Sequence, residues 1–218
     1  MKESRTLNVD IVSDVVCPWC VIGYGRFKKA LSKLSCQIDV NVRWHPFELN
    51  PNMASDGENL RQHLSAKYGT TLEGSIKARA MLTDLGKDVG FDFNYFDDMK
   101  MFNTHECHQL LLWSAETDKQ TSLAMAMFEE FFTGKGNFSH ESLLKLVDNI
   151  GLDVEEAKQV LLNKTFSLKV RSIENKWAQK GLNGVPAFIF NDSVIVSGAQ
   201  EVEVFESVMS EVLSEDSI

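Results

Sequence analysis

This chain lacks an apolar run long enough to cross a bilayer. Residues 1–6 lead straight into a strand-like run and not into the continuous apolar segment of a secretory signal peptide. It also lacks repeats and low-complexity segments. Positive charge is scarce, because 22 lysines and arginines face 31 acidic residues and the formal net charge is -9. That balance argues against a nucleic acid partner and against attraction to an anionic membrane surface. We therefore expect a cytoplasmic protein that binds small molecules or proteins, and neither nucleic acid nor membrane.

Cysteine is scarce as well. Four cysteines in 218 residues are too few for a secreted disulfide scaffold, and in a reducing compartment two close cysteines are more often catalytic or metal-binding than structural. Cys17 and Cys20 form such a pair, whereas Cys36 and Cys107 are isolated and are predicted to be bystanders. With 44% hydrophobic and 24% charged residues, the chain can bury a sizeable core.

The hydrophobic pattern changes twice along the chain. Apolar and polar residues alternate over 7–12 and 38–45, which predicts two strands, and a helix is predicted between them over 18–34. From about residue 57 the periodicity is helical and no strand signal interrupts it; the predicted helices are 60–68, 72–89, 104–116, 122–132, 140–150, 154–162 and 165–180. Strand character then returns in a β-hairpin, before a last helix; these elements are predicted over 187–190, 194–196 and 201–213.

This order of elements predicts one α/β domain that is interrupted by an all-helical insertion. Neither terminal part of the chain has enough strands to form a sheet alone, so the two parts are expected to pair with each other. The predicted limits are residues 1–56 for the first half of the α/β domain, 57–181 for the insertion and 182–218 for the second half. The helical block would then lie over the active end of the sheet.

The motif Cys17-Pro18-Trp19-Cys20 lies where the first strand leads into the first helix. A helix N-terminus carries partial positive charge, which favours the thiolate form of a cysteine held there. Cys17 is therefore the predicted nucleophile, and the spacing lets Cys20 reach back to form a reversible disulfide. Pro18 suits the first helical position. Trp19 is predicted to be partly exposed and to offer a flat apolar surface to a substrate.

A zinc site is the alternative interpretation of the cysteine pair, but zinc needs two more ligands. The only second cluster is His105, Cys107 and His108, and their spacing on one helix points Cys107 away from the other two. We therefore predict no metal. Asp14 has two interpretations: it is either a turn residue or a carboxylate close enough to Cys17 to disfavour the thiolate.

Gly184-Val185-Pro186 lies immediately before the predicted hairpin. A proline that enters a strand can be a simple rigid boundary. Beside a redox cysteine pair, however, it predicts a cis Val185–Pro186 bond that presents the Val185 backbone to an extended substrate. Pro186 would also occupy the space that a metal ion would need.

Together these motifs resemble the DsbA-like thioredoxin superfamily, and most of all its cytoplasmic FrnE-type branch, which is related to 2-hydroxychromene-2-carboxylate isomerases and kappa-class glutathione transferases. The resemblance rests on Ser13-Asp14, Cys17–Cys20, Gly23, Pro46–Pro51, Asn103-Thr104 with His108, Gly184–Pro186 before Phe188, and Ser197–Gln200. It implies an α/β thioredoxin fold with an all-helical domain inserted between the βαβ and ββα halves.

The resemblance also implies roles for individual residues. The position of Cys17 is the nucleophile of the family, that of Cys20 resolves the mixed disulfide, and that of Pro186 is cis. Asn103 and His108 would lie in the inserted domain and face Cys17, as candidate substrate-binding residues beside Trp19 and Val185. No cofactor is implied, although glutathione is a candidate co-substrate.

Three functions are compatible with these features. The leading hypothesis is a thiol–disulfide oxidoreductase, because isomerase and kappa-class relatives typically carry serine at the position of Cys17. The second is a glutathione-dependent isomerase or transferase acting on a small aromatic compound. The third is a binding module with an inert disulfide. Periplasmic relatives usually carry histidine at the position of Trp19, so the sequence leaves the direction of electron flow open.

Overall fold

The computed structural model describes residues 5–34, 38–133 and 137–215. Cys36, a predicted bystander, lies outside the described residues. The first part of the chain contains β1 (Arg5–Ser13), α1 (Pro18–Lys33) and β2 (Ile38–Pro46). The middle contains β3 (Glu58–Asn59), α2 (Leu60–Tyr68), α3 (Leu72–Asp88), β4 (Lys100–Met101), α4 (His105–Ser114), α5 (Gln120–Phe132), α6 (His140–Asn149), α7 (Val154–Asn163) and α8 (Ser167–Gln179). The last part contains β5 (Ala187–Phe190), β6 (Val194–Ser197) and α9 (Val202–Glu215).

The main sheet joins the two ends of the chain, as the sequence predicted. Its strand order is β2-β1-β5-β6, in which β1 pairs parallel with β2 and antiparallel with β5. In this register Val12 lies opposite Ala187. The end of β1, which leads to Cys17, therefore lies beside the start of β5, which Pro186 precedes. The pairing brings both predicted redox motifs to one edge of the sheet.

Each face of the sheet is covered by a different part of the chain. On one face α1 and α9 pack against the strands, and the ring of Phe27 lies 5.9 Å from Phe188, 6.1 Å from Phe190 and 6.0 Å from Phe205 between ring centroids. On the other face the buried Trp177 of α8 packs in a smaller cluster. The sheet is thus enclosed by helices from both terminal parts and from the middle of the chain.

The middle of the chain is helical except for one short strand pair. Glu58 pairs with Met101 and Asn59 with Lys100 in an antiparallel ladder. The prediction that no strand interrupts residues 57–181 was therefore wrong, because two residues per strand are too few to produce a visible alternation. The predicted helix ends differ from the observed ones by at most two residues; for example, 104–116 is observed as His105–Ser114. The predicted limits of the inserted domain stay predictions.

No helix in the described part of the chain has both the length and the apolar character that a membrane crossing requires.

The side chain of Gln120, at the start of α5, closes the outer edge of β2. Its Oε1 accepts the Trp44 backbone N–H at 2.9 Å, and its Nε2 donates to the Trp44 carbonyl at 3.0 Å. The same nitrogen donates to the Leu111 carbonyl at 3.0 Å. Gln120 thus satisfies a strand backbone as a neighbouring strand would, and it fixes the helical block to the sheet.

Replacing Gln120 with leucine is expected to lower the free energy of unfolding by about 3 kcal/mol. The substitution leaves the buried N–H and C=O groups of Trp44 without partners, and each unsatisfied buried group costs about 1–3 kcal/mol. Urea denaturation monitored by circular dichroism measures the change. Gln159→Leu, on the exposed surface of α7, serves as the control, and equal stability of the two variants would contradict the assigned role of Gln120.

Candidate active site

Cys17 occupies the N-cap position of α1, with Pro18 at the first helical position. The turn before the helix is held by two backbone hydrogen bonds: the Cys17 N–H donates to the Asp14 carbonyl at 2.9 Å, and the Cys20 N–H donates to the Cys17 carbonyl at 3.1 Å. The Cys17 side chain makes no capping hydrogen bond to the helix backbone, so its sulfur is free of that interaction. A cysteine at this position lies in the positive field of the helix N-terminus.

The two thiols differ in burial. Cys17 is 4% exposed, whereas Cys20 is completely buried, and both are free thiols. Burial raises the pKa of the Cys20 thiol well above its ordinary value, and the neighbouring Cys17 adds to this effect. The Ser13 hydroxyl and the Asp14 backbone act in the opposite direction. Cys17 is therefore the more accessible of the two sulfurs, and Cys20 is held as a neutral thiol.

The proline loop contacts the cysteine motif. The Val185–Pro186 bond is cis, as the sequence predicted, and the Cys17 thiol donates to the Val185 carbonyl at a sulfur–oxygen distance of 3.9 Å. Gly23, on α1, makes this approach feasible, because a Cβ atom there would lie 3.1 Å from Pro186 Cγ. The structure thus brings together Cys17, Cys20, Val185 and Pro186.

Trp19 is 39% exposed, in agreement with the partial exposure expected from its place between the cysteines. A tryptophan with this much exposed surface beside a reactive sulfur provides an apolar platform for a ligand. Its role in substrate binding stays a prediction.

Asp14 connects Cys17 to the helical block. Besides accepting the Cys17 N–H through its carbonyl, it accepts the Leu49 N–H at 2.7 Å through Oδ2, and its Oδ1 lies 3.5 Å from His108 Nε2. His108 Nε2 also donates to the Phe47 carbonyl at 3.1 Å. Asp14 is therefore a turn residue whose buried carboxylate binds the Leu49 N–H. The interpretation that this carboxylate disfavours the Cys17 thiolate stays a prediction.

His108 is only 1% exposed. Burial by itself would lower its pKa, but the Asp14 carboxylate, with smaller contributions from Glu48 and Glu174, outweighs burial and raises the pKa of His108. This side chain contacts the turn that carries Cys17 through Asp14, so its geometry suits a positioning residue. The predicted role of His108 in substrate binding stays a prediction.

The raised pKa of His108 predicts a pH dependence of stability. A group whose pKa is raised by folding stabilises the protein below its unfolded pKa, about 6.5 for histidine, and this contribution is lost as the pH rises through the folded pKa. The free energy of unfolding should therefore fall between pH 6 and pH 8, and this fall should be smaller in His108→Gln. Urea titrations at both pH values test this. The exposed His140 supplies the control variant His140→Gln, and the same pH dependence in both variants would rule out His108 as its source.

Asn103 caps α4. Its Oδ1 accepts the His105 backbone N–H at 3.0 Å, and its Nδ2 donates to the Pro51 carbonyl at 3.3 Å. Thr104 occupies the N-cap position but makes no side-chain capping bond. The hydrogen bonds of Asn103 thus connect α4 to the loop after β2 rather than to Cys17, and a substrate-binding role for Asn103 stays a prediction.

Of the residues considered as zinc ligands, His105 is hydrogen-bonded through both ring nitrogens and Cys107 is buried. His105 Nδ1 lies 2.6 Å from Glu48 Oε1, and His105 Nε2 lies 2.8 Å from Ser167 Oγ. Cys107 is fully buried, and burial is the main cause of its raised pKa. Across 5–34, 38–133 and 137–215, no group of three or more potential metal-ligating side chains is found.

Tyr95, which packs against Phe93 and Phe132, is a buried polar residue that sequence reasoning missed. Its hydroxyl is buried and has no partner within the described residues. Burial raises the pKa of Tyr95, Arg79 opposes this, and Cys17 makes a smaller contribution in the same direction as burial. The alternation of Phe91, Phe93 and Tyr95 with polar residues was the available signal that these rings share one side of the chain.

A four-stranded sheet with a dithiol at the N-terminus of its first helix, and a cis proline against the first sulfur, defines a thioredoxin-fold protein with a helical insertion. The chain belongs to the family of the DSBA-like thioredoxin domain, whose profile matches residues 8–210. The match confirms the resemblance to the DsbA-like thioredoxin superfamily and the fold predicted from the sequence.

Solved structures agree with this assignment. A probable DsbA oxidoreductase from Streptomyces coelicolor is 32% identical, with a TM-score of 0.90 over 96% of this chain and 91% of that one. A 2-hydroxychromene-2-carboxylate isomerase is 14% identical, with a TM-score of 0.70 over 96% and 98% of the two chains. The cytosolic disulfide reductase DsbM from Pseudomonas aeruginosa, solved with GSH, is 14% identical, with a TM-score of 0.65 over 95% and 99%. At 14% identity the last two show a shared fold alone.

Proposed function

We propose that this protein is a thiol–disulfide oxidoreductase that exchanges disulfides through Cys17 and Cys20. The observation that carries the proposal is the placement of Cys17: it caps α1, its sulfur lies 3.9 Å from the Val185 carbonyl beside cis-Pro186, and a second thiol follows one helical turn later. The DsbA-like fold supports thiol–disulfide oxidoreductase activity in general.

The exchange proceeds in two steps, each of which forms one S–S bond and breaks one. The Cys17 thiolate attacks a substrate disulfide, so that a mixed disulfide forms and one substrate sulfur leaves as a thiolate that takes up a proton. Cys20 then loses its proton and attacks the Cys17 sulfur, which releases the second substrate thiol. The Cys17–Cys20 pair is thereby oxidised by two electrons and the substrate is reduced, and the reverse sequence oxidises a substrate dithiol.

The difference in burial suits this order of events. The buried Cys20, with its raised pKa, stays protonated and does not compete with Cys17 for the substrate. Cys20 lies one helical turn from Cys17. Its attack on the mixed disulfide is therefore intramolecular and needs no second encounter. We assign alignment of the substrate to the Val185 backbone and Pro186, with Trp19 as an apolar contact.

The partners follow from charge and from relatives. The substrate is a thiol or disulfide, either protein or small molecule, and glutathione is a candidate because the related fold of DsbM was solved with it. We propose a cytoplasmic location, as the resemblance implies. The net charge of -9 supports the absence of a nucleic acid partner and of attraction to an anionic membrane surface. The direction of electron flow depends on the reduction potential, in which about 30 mV corresponds to a tenfold change in the equilibrium.

A glutathione-dependent isomerase or transferase acting on a small aromatic substrate is the second candidate. The observation in its favour is the fold shared with 2-hydroxychromene-2-carboxylate isomerase. The presence of a second thiol at Cys20 favours the oxidoreductase, because isomerisation with bound glutathione does not need a resolving cysteine.

Cys20→Ala is expected to trap the mixed disulfide. With no resolving thiol, the Cys17–substrate bond persists, so incubation with a peptide disulfide should yield a covalent adduct that mass spectrometry places on Cys17 and dithiothreitol removes. The wild-type protein should not accumulate this species. Cys107→Ser, which changes another buried thiol, should behave like the wild type. An adduct on a different cysteine, or none, would reject Cys17 as the nucleophile.

A further inference from the structure

Three side chains outside the thiol site form a connected row of hydrogen bonds. His105, the first residue of α4, places its Nδ1 2.6 Å from Oε1 of Glu48, which lies in the loop after β2. Its Nε2 lies 2.8 Å from Oγ of Ser167, the first residue of α8. We name this group the Glu48–His105–Ser167 triad. A carboxylate, an imidazole and a serine hydroxyl in this order are the functional groups of serine hydrolases, in which glutamate can replace aspartate.

The carboxylate decides which nitrogen of His105 carries the proton. An ionised carboxylate only accepts hydrogen bonds, so Nδ1 donates to Glu48, and in the neutral imidazole Nε2 is left as an acceptor for the Ser167 hydroxyl. Glu48 Oε1 also lies 2.9 Å from Nη1 of Arg171, with which it forms an ion pair. The histidine is thus oriented to remove the proton of Ser167, which is the step that makes a serine a nucleophile.

The serine end of the triad is open and the carboxylate end is closed. The Glu48 side chain is 1% exposed and that of His105 is 16% exposed, and Ser167 is half-buried. His105 and Ser167 both line a cavity of about 410 Å³ between the first turns of α4 and α8, which we name the α4–α8 cavity. Its volume is in the range of small-molecule sites, about 300–1,000 Å³. A ligand in this cavity therefore has access to Ser167.

Ser167 lies at the positive end of α8. Its own N–H donates to the Lys164 carbonyl at 3.0 Å, and the N–H groups that follow in the first turn have no carbonyl inside the helix to bond. Because α8 is 13 residues long, its N-terminus carries partial positive charge. Such a field stabilises the negative charge that develops on the carbonyl oxygen of an acyl group when a serine attacks it.

The lining of the α4–α8 cavity suits a neutral ligand with an apolar group. Arg171 is balanced by its ion pair with Glu48, and two other charged side chains of the lining, Lys164 and Glu106, have opposite signs. An apolar wall is provided by two rings whose centroids lie 6.2 Å apart, those of Phe102 and Phe138. An ester is uncharged and joins apolar groups through a carbonyl, so it fits this lining better than a free acid or an amine.

We propose that the Glu48–His105–Ser167 triad hydrolyses small carboxylic esters that bind in the α4–α8 cavity. The Ser167 oxygen forms a bond to the carbonyl carbon while His105 takes the serine proton. The bond between the carbonyl carbon and the ester oxygen then breaks, and the leaving alcohol takes that proton from His105. Water cleaves the acyl–serine ester by the same route, which yields a carboxylic acid and restores Ser167. Glu48 acts as a positioning residue for His105. This activity uses no thiol and does not rest on the proposed disulfide exchange.

The test uses the full chain with Cys17→Ala and Cys20→Ala, because a reactive thiol also cleaves activated esters. The probe is p-nitrophenyl butyrate, whose hydrolysis releases a coloured phenolate. In this background Ser167→Ala should lower kcat/KM by about a hundredfold or more, and His105→Gln by about 10²–10⁴-fold, the usual contribution of general acid–base catalysis. Glu48→Gln should lower kcat and leave KM unchanged, because Glu48 does not touch the ester. Circular dichroism establishes that each variant is folded.

A fluorophosphonate, which bonds covalently to activated serines, provides a second measurement. Mass spectrometry should place the label on Ser167, and His105→Gln should abolish it although the serine is still present. Ser142→Ala is the matched control, because the Ser142 hydroxyl donates to a carboxylate, Glu130 Oε1, at 2.9 Å, and it should keep both the rate and the label. Hydrolysis no faster than in buffer, an unchanged rate in Ser167→Ala, or a label on another residue would overturn the proposal.

Discussion

Replacing Cys17 with serine is expected to reduce the rate of disulfide exchange by about a thousandfold or more while the fold stays intact. A serine hydroxyl is not ionised at neutral pH and cannot form the S–S bond of the mixed disulfide, and loss of the nucleophile removes most of the rate enhancement of an enzyme. Serine is nearly the size of cysteine, and Cys17 makes no capping bond that serine would have to replace. The assay is the dithiothreitol-driven reduction of an aromatic disulfide whose thiol product absorbs visible light.

The same variant separates the two candidate functions. If Cys17→Ser loses exchange and keeps its circular dichroism spectrum, the oxidoreductase proposal is supported. If it keeps exchange, the mechanism through Cys17 is wrong. If it keeps or gains glutathione-dependent turnover of a small aromatic compound, the isomerase or transferase becomes the better candidate. Cys107→Ser, measured alongside, should retain the wild-type rate because Cys107 has no assigned role.

Truncating Phe27 to alanine is expected to lower the free energy of unfolding by about 4 kcal/mol, which is more than the loss expected for Gln120→Leu. Phe27 is 1% exposed, and its ring lies within 6.1 Å of Phe188, Phe190 and Phe205 between centroids. Loss of a buried phenylalanine side chain costs about 3–5 kcal/mol, because the apolar transfer energy is lost and the cavity does not fully close. The cost is a large part of the total stability of a domain, about 5–15 kcal/mol.

Chemical denaturation with a constant m-value measures this loss. Phe27→Leu, which keeps most of the apolar volume, should be clearly less destabilising than the alanine variant. Leu168→Ala changes a side chain that is 86% exposed and should have little effect. Stability losses of similar size in Phe27→Ala and Leu168→Ala would show that the aromatic cluster does not hold α1 and α9 to the sheet.

The sequence was sufficient to predict the parts of the fold that rest on local patterns. The alternation of Leu7, Val9 and Ile11 identified β1, and a cysteine followed by Pro18 identified the start of α1. The shortage of strands in either half then required the chain ends to pair, which the contact of β1 with β5 confirms. The cis bond at Pro186 was predictable for a different reason. A proline that enters a strand beside a redox cysteine pair is expected to be cis, because the cis bond presents the preceding backbone to an extended substrate.

The remaining features depend on distances that no local pattern encodes. The sequence gives no sign that Gln120 would bond to Trp44, or that His108 would lie 3.5 Å from Asp14, because these contacts arise only when the helical block packs on the sheet. The resemblance implies that Asn103 faces Cys17, and this stays a prediction; the hydrogen bonds that its amide makes to the His105 N–H and to the Pro51 carbonyl are tertiary or capping contacts that the resemblance did not supply. The pair of two-residue strands was missed because its pairing is tertiary rather than periodic.

The two halves of the candidate site lie far apart in the chain, and this separation matters during protein synthesis. Cys17 contacts the carbonyl of Val185 across 168 residues. At a translation rate of about 5–20 residues per second, the thiol pair leaves the ribosome on the order of ten seconds before the loop that completes its site. During that interval the nascent chain carries both cysteines without the proline loop. The site to which disulfide exchange is assigned is therefore complete only after Val185 and Pro186 have been synthesised.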